Sequence, residues 1–183
     1  YRFANPTELT WLEEKANTIS EIVDFRSMIL VERETSERVL TQVKAVDENY
    51  PLMGEVNLFA DEILSDALQR RKGLPGAVIE KILVDRLDLK LGDTFKLGQT
   101  QFHLGGIIET IPDNGSDGFG LGPRTIVYTT DLEDSGLLTP GTLFSTKYRL
   151  DLKENINLDV ISKTAVEKFE TTGMRWKDAR NAA

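Results

Sequence analysis

The sequence predicts an α+β fold: a split βαβ, α/β sandwich built from the two ends of the chain, with an inserted small β-rich, barrel-like subdomain between them. Three observations carry that reading. Both ends show the same order of strand, helix and strand patterns. The middle is crowded with short alternating runs and glycine turns. The charge is also uneven along the 183 residues: of 22 basic and 30 acidic side chains (net −8), residues 1–33 carry four and six, and residues 145–183 carry eight and six. Residues 34–144, with ten and eighteen, therefore hold the whole deficit. Such a composition shift marks an inserted unit, and the expected division is 1–33 plus 145–183 against 34–144.

Taken in order, residues 1–4 alternate as a short strand, and Asn5-Pro6-Thr7 forms a turn with Thr7 as the expected N-cap. Leu9, Leu12, Ala16 and Ile19 fall on one helical face, opposite Glu13, Glu14, Lys15 and Asn17. Met28-Ile29-Leu30-Val31 is a fully apolar run of strand length. Residues 38–46 alternate with period two and end at a turn over 47–51. Asp61 is placed to cap a short helix with Ile63, Leu64, Ala67 and Leu68 inward. Arg70, Arg71 and Lys72 then complement the helix dipole in its last turn, with Gly73 following. Ile79, Leu83 and Leu87 suggest a further short helix.

Residues 91–93 turn into a strand at 95–97, and Gly98-Gln99 turn into another at 101–108. Glycine and proline cluster over 112–123 before a strand at 125–130. The last part alternates as Phe144, Thr146, Tyr148, Leu150 and Leu152. A helical stripe follows at Leu158, Ile161, Ala165, Val166 and Phe169, ended by Gly173, and Met174-Arg175-Trp176 reads as the start of a strand. Trp11 and Trp176 are expected to pack at the edge of this part.

Several chemistries are excluded or left without support. The acidic balance argues against nucleic acid or an anionic membrane surface as the main partner. There is no cysteine and one histidine, which removes thiol nucleophiles, cysteine metal sites, disulfides and paired imidazoles. His103 shares a strand face with Gln101 and Gly105, so it is expected to face solvent, and no nucleophile elbow accompanies it. Residues 113–118 look like a calcium loop, but Gly115 and Arg124 occupy the third and twelfth positions, where an EF-hand needs oxygen ligands. Residues 118–123 lack the third glycine of a dinucleotide loop and run into a strand. Carboxylate pairs at Glu13/Glu14, Asp85/Asp88 and Asp131/Glu133/Asp134 lie on polar faces, where solvation explains them. No cofactor or metal is implied. No apolar run reaches the roughly 20 residues that span a bilayer, and the first residue is Tyr1, so the sequence is expected to be a piece of a longer chain.

A set of ordered motifs then points to a family. These are Phe25-Arg26-Ser27-Met28, Val43-Lys44-Ala45-Val46-Asp47 and Tyr50-Pro51-Leu52-x-Gly54, followed by Leu87-x-Leu89-x-x-Gly92-Asp93-x-Phe95-x-Leu97-Gly98. Next come Ile111-Pro112-Asp113, Phe119-Gly120-x-Gly122-Pro123-Arg124, Gly136-Leu137-Leu138-x-Pro140-Gly141 and Tyr148-Arg149-Leu150. Their order and spacing over essentially the whole chain resemble the extracytoplasmic (periplasmic core) domain of FtsX-like, MacB-type ABC-transporter permeases. The resemblance is closest to the permeases ascribed to lysophospholipase-linked export. It implies a porter-like α/β part interrupted by a β-rich part. In the parent chain it implies a membrane helix before Tyr1 and more after Ala183. It also implies a homodimeric parent at the periplasmic face of the bacterial inner membrane, served by a separate cytoplasmic ATPase subunit. Nothing in the chain matches an adaptor-binding motif.

The expected role is therefore a non-enzymatic permease domain that handles a hydrophobic or lipid-like cargo, a periplasmic adaptor or another partner protein. Candidate contacts lie on the predicted connections, where function concentrates on a rigid scaffold: Tyr50, Pro51 and Leu52 in the turn over 47–54, and Phe119, Pro123 and Arg124 in the loop over 112–124. The alternatives are a stand-alone extracytoplasmic binding module and a hydrolase using His103 or a carboxylate pair.

Overall fold

The computed structural model describes residues 2–112, 122–178 and 180. Its elements are α1 (Pro6–Lys15), β1 (Ala16–Val31), β2 (Glu37–Val46), β3 (Asn57–Leu58), α2 (Leu64–Ala67), β4 (Gly76–Glu80), α3 (Lys81–Arg86), β5 (Thr94–Leu97), β6 (Thr100–Thr110), β7 (Arg124–Tyr128), β8 (Phe144–Leu152) and α4 (Leu158–Phe169). One mixed sheet holds all eight strands, and the class is α+β as expected.

The sheet is organised by β1. Over Ile22–Val31 it pairs antiparallel with β2, and its opposite edge pairs first with β8, from Ala16 to Phe25, then with β5 at Ile29 and Leu30. From β2 the pairing continues in parallel to β7, antiparallel to β4, in parallel to β6 and antiparallel to β5. Since β5 returns to β1, these six strands close into a ring. The strand β8 stands outside it as a flap on β1.

Side-chain alternation divides the core accordingly. Val23, Phe25, Ile29 and Val31 of β1 meet Val39, Val43, Ala45, Ala77, Ile79, Phe95, Leu97, Phe102, Leu104 and Val127 inside the ring. The outward residues Ile22, Val46, Val78, Ile108 and Ile126 are covered by Tyr50, Leu58, Ala67 and Leu68 from the segment between β2 and β4. A third cluster joins Leu12 of α1 and Ala165 and Phe169 of α4 to Ile19, Tyr148 and Leu150 of β1 and β8. Trp11 meets Phe169 edge-on at 5.5 Å and Trp176 at 6.4 Å, so both tryptophans pack where the sequence placed them.

Several elements differ from the expectation. Helix α1 is capped by Asn5, not Thr7. The Asn5 side chain accepts from the Glu8 N–H at 2.9 Å, and Glu8 accepts from the Asn5 N–H at 2.9 Å, a reciprocal capping box with Pro6 in the first turn. The helix stops at Lys15, because the backbone of Ala16 onward is taken up by β8 and β2. Ala16 and Ile19 thus belong to a strand. No strand forms over residues 2–4 or 174–176, while Tyr1 lies outside the described residues. Met174 and Trp176 are held instead by packing and by the Trp176 indole, which donates to Ser162 Oγ at 3.0 Å.

Asp61 sits in a 3₁₀ turn at φ 53° and caps no helix. The expected helix at Ile79 begins two residues later, since Ile79 is the inward residue of β4. In α4, Ile161, Ala165 and Phe169 are buried but Val166 is 57% exposed. The strands expected over 38–46, 95–97, 101–108, 125–130 and 143–152 all form, within a few residues of their expected ends.

Glu8, only 4% exposed, also holds the Arg2 guanidinium in a fork at 2.7 and 2.9 Å, and Arg2 donates onward to the Thr172 carbonyl at 2.9 Å. Replacing Glu8 by Ala removes half the capping box and this bridge, and should cost about 1–2 kcal/mol in urea unfolding. Hydrogen bonding from Arg2 holds the Glu8 carboxyl below its ordinary pKa, against the opposing effect of burial. A depressed carboxylate stabilises the fold above its unfolded pKa and loses that contribution as pH falls through the folded value. The unfolding free energies of wild type and Glu8→Ala should therefore converge in acid.

A second constraint lies where α2 meets the ring. Gly105 is the extra residue in β6 where its register with β4 shifts. A Cβ there would run into the carbonyl of Ala67. Gly105→Ala should lower stability by about 1–3 kcal/mol in the same assay.

Candidate functional site

The strands β2 and β7 run in parallel, so their C-terminal ends, Val46 and Tyr128, lie side by side. Beyond them the chain turns twice. After β2, Asp47 fixes the first turn: its Oδ1 accepts from Ser20 Oγ at 2.9 Å and from the Asn49 N–H at 3.1 Å, and its Oδ2 accepts from the Glu21 N–H at 2.6 Å. After β7, a 3₁₀ turn over Thr129–Leu132 leads to Ser135, whose buried hydroxyl donates to the Leu132 carbonyl at 2.7 Å. The space left between these turns, β1 and the segment before α1 is a cavity of about 480 Å³, within the roughly 300–1,000 Å³ of small-molecule sites.

Its walls are Phe3, Val46, Tyr128, Leu132 and Leu138, with Glu21, Asp47, Glu48 and Glu133 among them and, among the described residues, no lysine, arginine or histidine. Asp47 is committed to the turn. Glu21 accepts from the Tyr148 hydroxyl at 2.7 Å, and burial keeps that phenol protonated far above its usual range. Glu48 and Glu133 are exposed, and their carboxylates form no ion pair with a described residue. Burial, then the charges of Glu48 and Asp131, raises the Tyr128 pKa, so the cavity presents a neutral phenol beside negative charge. Asp131 is balanced by Arg70 at 3.0 Å.

The candidate contacts are spread over two places. Tyr50 is 8% exposed and belongs to the outer cluster, with the Lys44 ammonium 5.9 Å from its ring; Pro51 and Leu52 are half-buried beside it. Pro123 and Arg124 open β7 at its other end, about 13 Å from Tyr128 at 3.3 Å per residue. There the Pro123 carbonyl accepts from the Gln42 N–H at 2.9 Å and from Thr41 Oγ1 at 3.0 Å, and the Arg124 N–H donates to Glu80 Oε2 at 2.7 Å. Among the described residues the two loops meet where Gly54, at φ 75°, leaves no room for a Cβ against Pro112. Phe119, and with it the calcium-like and glycine-rich stretches over 113–121, lies outside the described residues.

Other expectations resolve as follows. His103 is buried, not solvent-facing. Its Nε2 lies 2.8 Å from the Gln69 carbonyl, which can only accept, so Nε2 carries the proton. It lies on the strand face that the alternation predicts, opposite Phe102 and Leu104, and the chain after α2 covers that face. Arg70, Arg71 and Lys72 lie beyond the end of α2 at Ala67, and Lys72 and Gly73, both at positive φ, form a tight turn bridged by Arg71 and Leu74. Glu13, Glu14, Asp85, Asp88, Glu133 and Asp134 are exposed. Among the described residues, no group of three or more His, Asp or Glu could hold a metal ion, and no helix is long and apolar enough to cross a membrane.

The cavity itself was not foreseen. Its signal in the sequence is Asp47-Glu48 directly after the alternating run over 38–46, and Asp131, Glu133 and Asp134 just after the strand run over 125–130; the parallel pairing of β2 and β7 brings the two together.

No protein-family model matches the chain. In sequence it is 28% identical over 137 residues to the ABC transporter permease YbbP of Escherichia coli strain K12, a stretch covering 75% of this chain and 16% of YbbP. The chain thus spans a small part of that relative's length. In structure, 98% of it matches 87% of the extracellular domain of the ABC-type transporter YknZ from Gram-positive bacteria, with a TM-score of 0.60 at 13% identity. The chain has the fold of a permease extracytoplasmic domain. The periplasmic region of MacB from Actinobacillus actinomycetemcomitans agrees, with a TM-score of 0.53 and 13% identity over 86% of this chain and 68% of MacB's. The resemblance carried by the sequence motifs is thereby supported for the MacB-type domain.

Asp47→Ala should free the Ser20 hydroxyl and the Glu21 and Asn49 N–H groups together. We expect a loss of about 1–3 kcal/mol in stability, read by chemical unfolding, together with faster amide exchange at Glu21 and Asn49.

Proposed function

We propose that this chain is the extracytoplasmic domain of an ABC-transporter permease at the periplasmic face of a bacterial inner membrane. In this reading it is not an enzyme. It couples ATP hydrolysis by a separate cytoplasmic subunit to the handling of a hydrophobic or lipid-like cargo, or of a partner protein, outside the membrane. The observation that carries the reading is the sequence likeness to a permease over three quarters of the chain, joined to the fold match with YknZ over nearly all of it.

The proposed contact surface is the segment over 47–66, which carries six acidic and no basic residues. It displays Met53, Phe59 and Ile63 at 81%, 39% and 63% exposure, with Pro51 and Leu52 at its base and Tyr50 anchoring it beneath. Pro123 and Arg124 mark a second edge at the start of β7. The parts over 1–33 plus 145–183 and over 34–144 are proposed to divide the work, the first coupling to membrane helices of the parent chain and the second meeting the partner.

The absence of cysteine makes the placement directly testable. In a cysteine-free parent chain, Met53→Cys should react with a membrane-impermeant maleimide on intact spheroplasts, as strongly as after lysis. Labelling only after lysis would overturn the extracytoplasmic placement. An ATPase subunit should co-purify with the same parent chain in detergent.

A further inference from the structure

We propose that the cavity between the ends of β2 and β7 is a binding site for a small cationic amphiphile, a compact ammonium or guanidinium group on an apolar body. Two features define the ligand. Phe3, Val46, Leu132 and Leu138 supply apolar walls inside about 480 Å³, enough for an alkyl chain or ring of moderate size. Among the described residues the ionisable lining is acidic: Glu21, Asp47, Glu48 and Glu133 face no lysine, arginine or histidine in it.

The charges do not have equal roles. Asp47 and Glu21 are occupied by protein donors and set the background potential. Glu48 and Glu133 stand on the two turns that flank the opening and form no ion pair with a described residue, so they are the groups positioned to meet the cationic head. Tyr128 adds an aromatic ring, the side-chain type that attracts a cation. An anionic amphiphile would bring its charge beside Glu48 and Glu133, and a neutral one would gain only the apolar contacts. Discrimination by head-group charge is therefore the property this site has and a simple hydrophobic groove lacks.

This binding belongs to the 183-residue chain alone and needs no membrane, ATPase or transport cycle. It can hold if the placement outside the membrane fails, and fail if that placement holds.

The test is a titration of the chain with octyltrimethylammonium, octyl sulfate and octyl glucoside, each below its micellar concentration, followed by methyl NMR at Leu132 and Leu138. The cationic chain should bind saturably and at least about 10-fold more tightly than the other two. Glu48→Gln with Glu133→Gln should weaken it by about 10-fold, bringing it to the level of octyl glucoside, while the melting temperature stays unchanged. Both positions are exposed, so the variant is expected to fold. Equal binding of the three head groups, wild-type affinity in the double variant, or shifts that do not saturate would each overturn the proposal.

Discussion

The architecture depends on the number of strands that one strand must satisfy. β1 runs without a break for 16 residues, and its hydrogen bonds are shared among three partners. β2 occupies one edge through Val31, while the other edge is passed from β8 to β5 across Arg26, Ser27 and Met28. That handover is the fork at which the sheet divides. On one side the strands close round through β5; on the other, β8 with β1 receives α1 and α4. Had β8 stayed paired to the end of β1, there would be no edge for β5 to close against.

Two consequences follow for packing. Inside the ring, alternation gives every strand a face in a common core, and Thr41 and Thr125 meet there with their hydroxyls 2.8 Å apart under the Pro123 carbonyl, so the polar atoms of that core are satisfied. Outside it, one long excursion between β2 and β4 wraps the surface. That excursion approaches so closely that two glycines, Gly76 and Gly105, are needed beneath Ala67. The acidic cavity sits beside the start of this excursion, at the C-terminal ends of the parallel pair β2 and β7.

What the sequence made legible follows the same geometry. The β5–β6 hairpin, β8 and α4 are readable because each has one more solvated face or a glycine turn, and β2 because Gln42 and Lys44 alternate with Val43 and Ala45 in residue type although all four are buried. β1 was not, for a physical reason: Ile22 and Val23 are both buried, on opposite faces, which blurs alternation, and Ala16 and Ile19 happened to continue the helical spacing of Leu9 and Leu12. β4 was hidden likewise, because Ala77, Val78 and Ile79 are all buried and Ile79, Leu83 and Leu87 are spaced as on a helix. The alternation predicts the face of His103 but not its environment, since burial of that face depends on Gln69, 34 residues earlier. The cavity shares this character: its acids are obvious as letters, and their convergence is a fact of strand order.

Among the described residues β8 pairs with β1 alone, so its outer border is a row of peptide groups without a ladder partner. A bare border of that kind recruits strands from other molecules. Here successive outward positions carry Lys147, Arg149 and Asp151, and Lys147 leans toward Asp24 at 3.3 Å. Charges at every second residue make a flat, apolar stacking surface impossible and penalise pairing with a copy in register. The flap that makes the sheet divide is therefore also its built-in guard against aggregation.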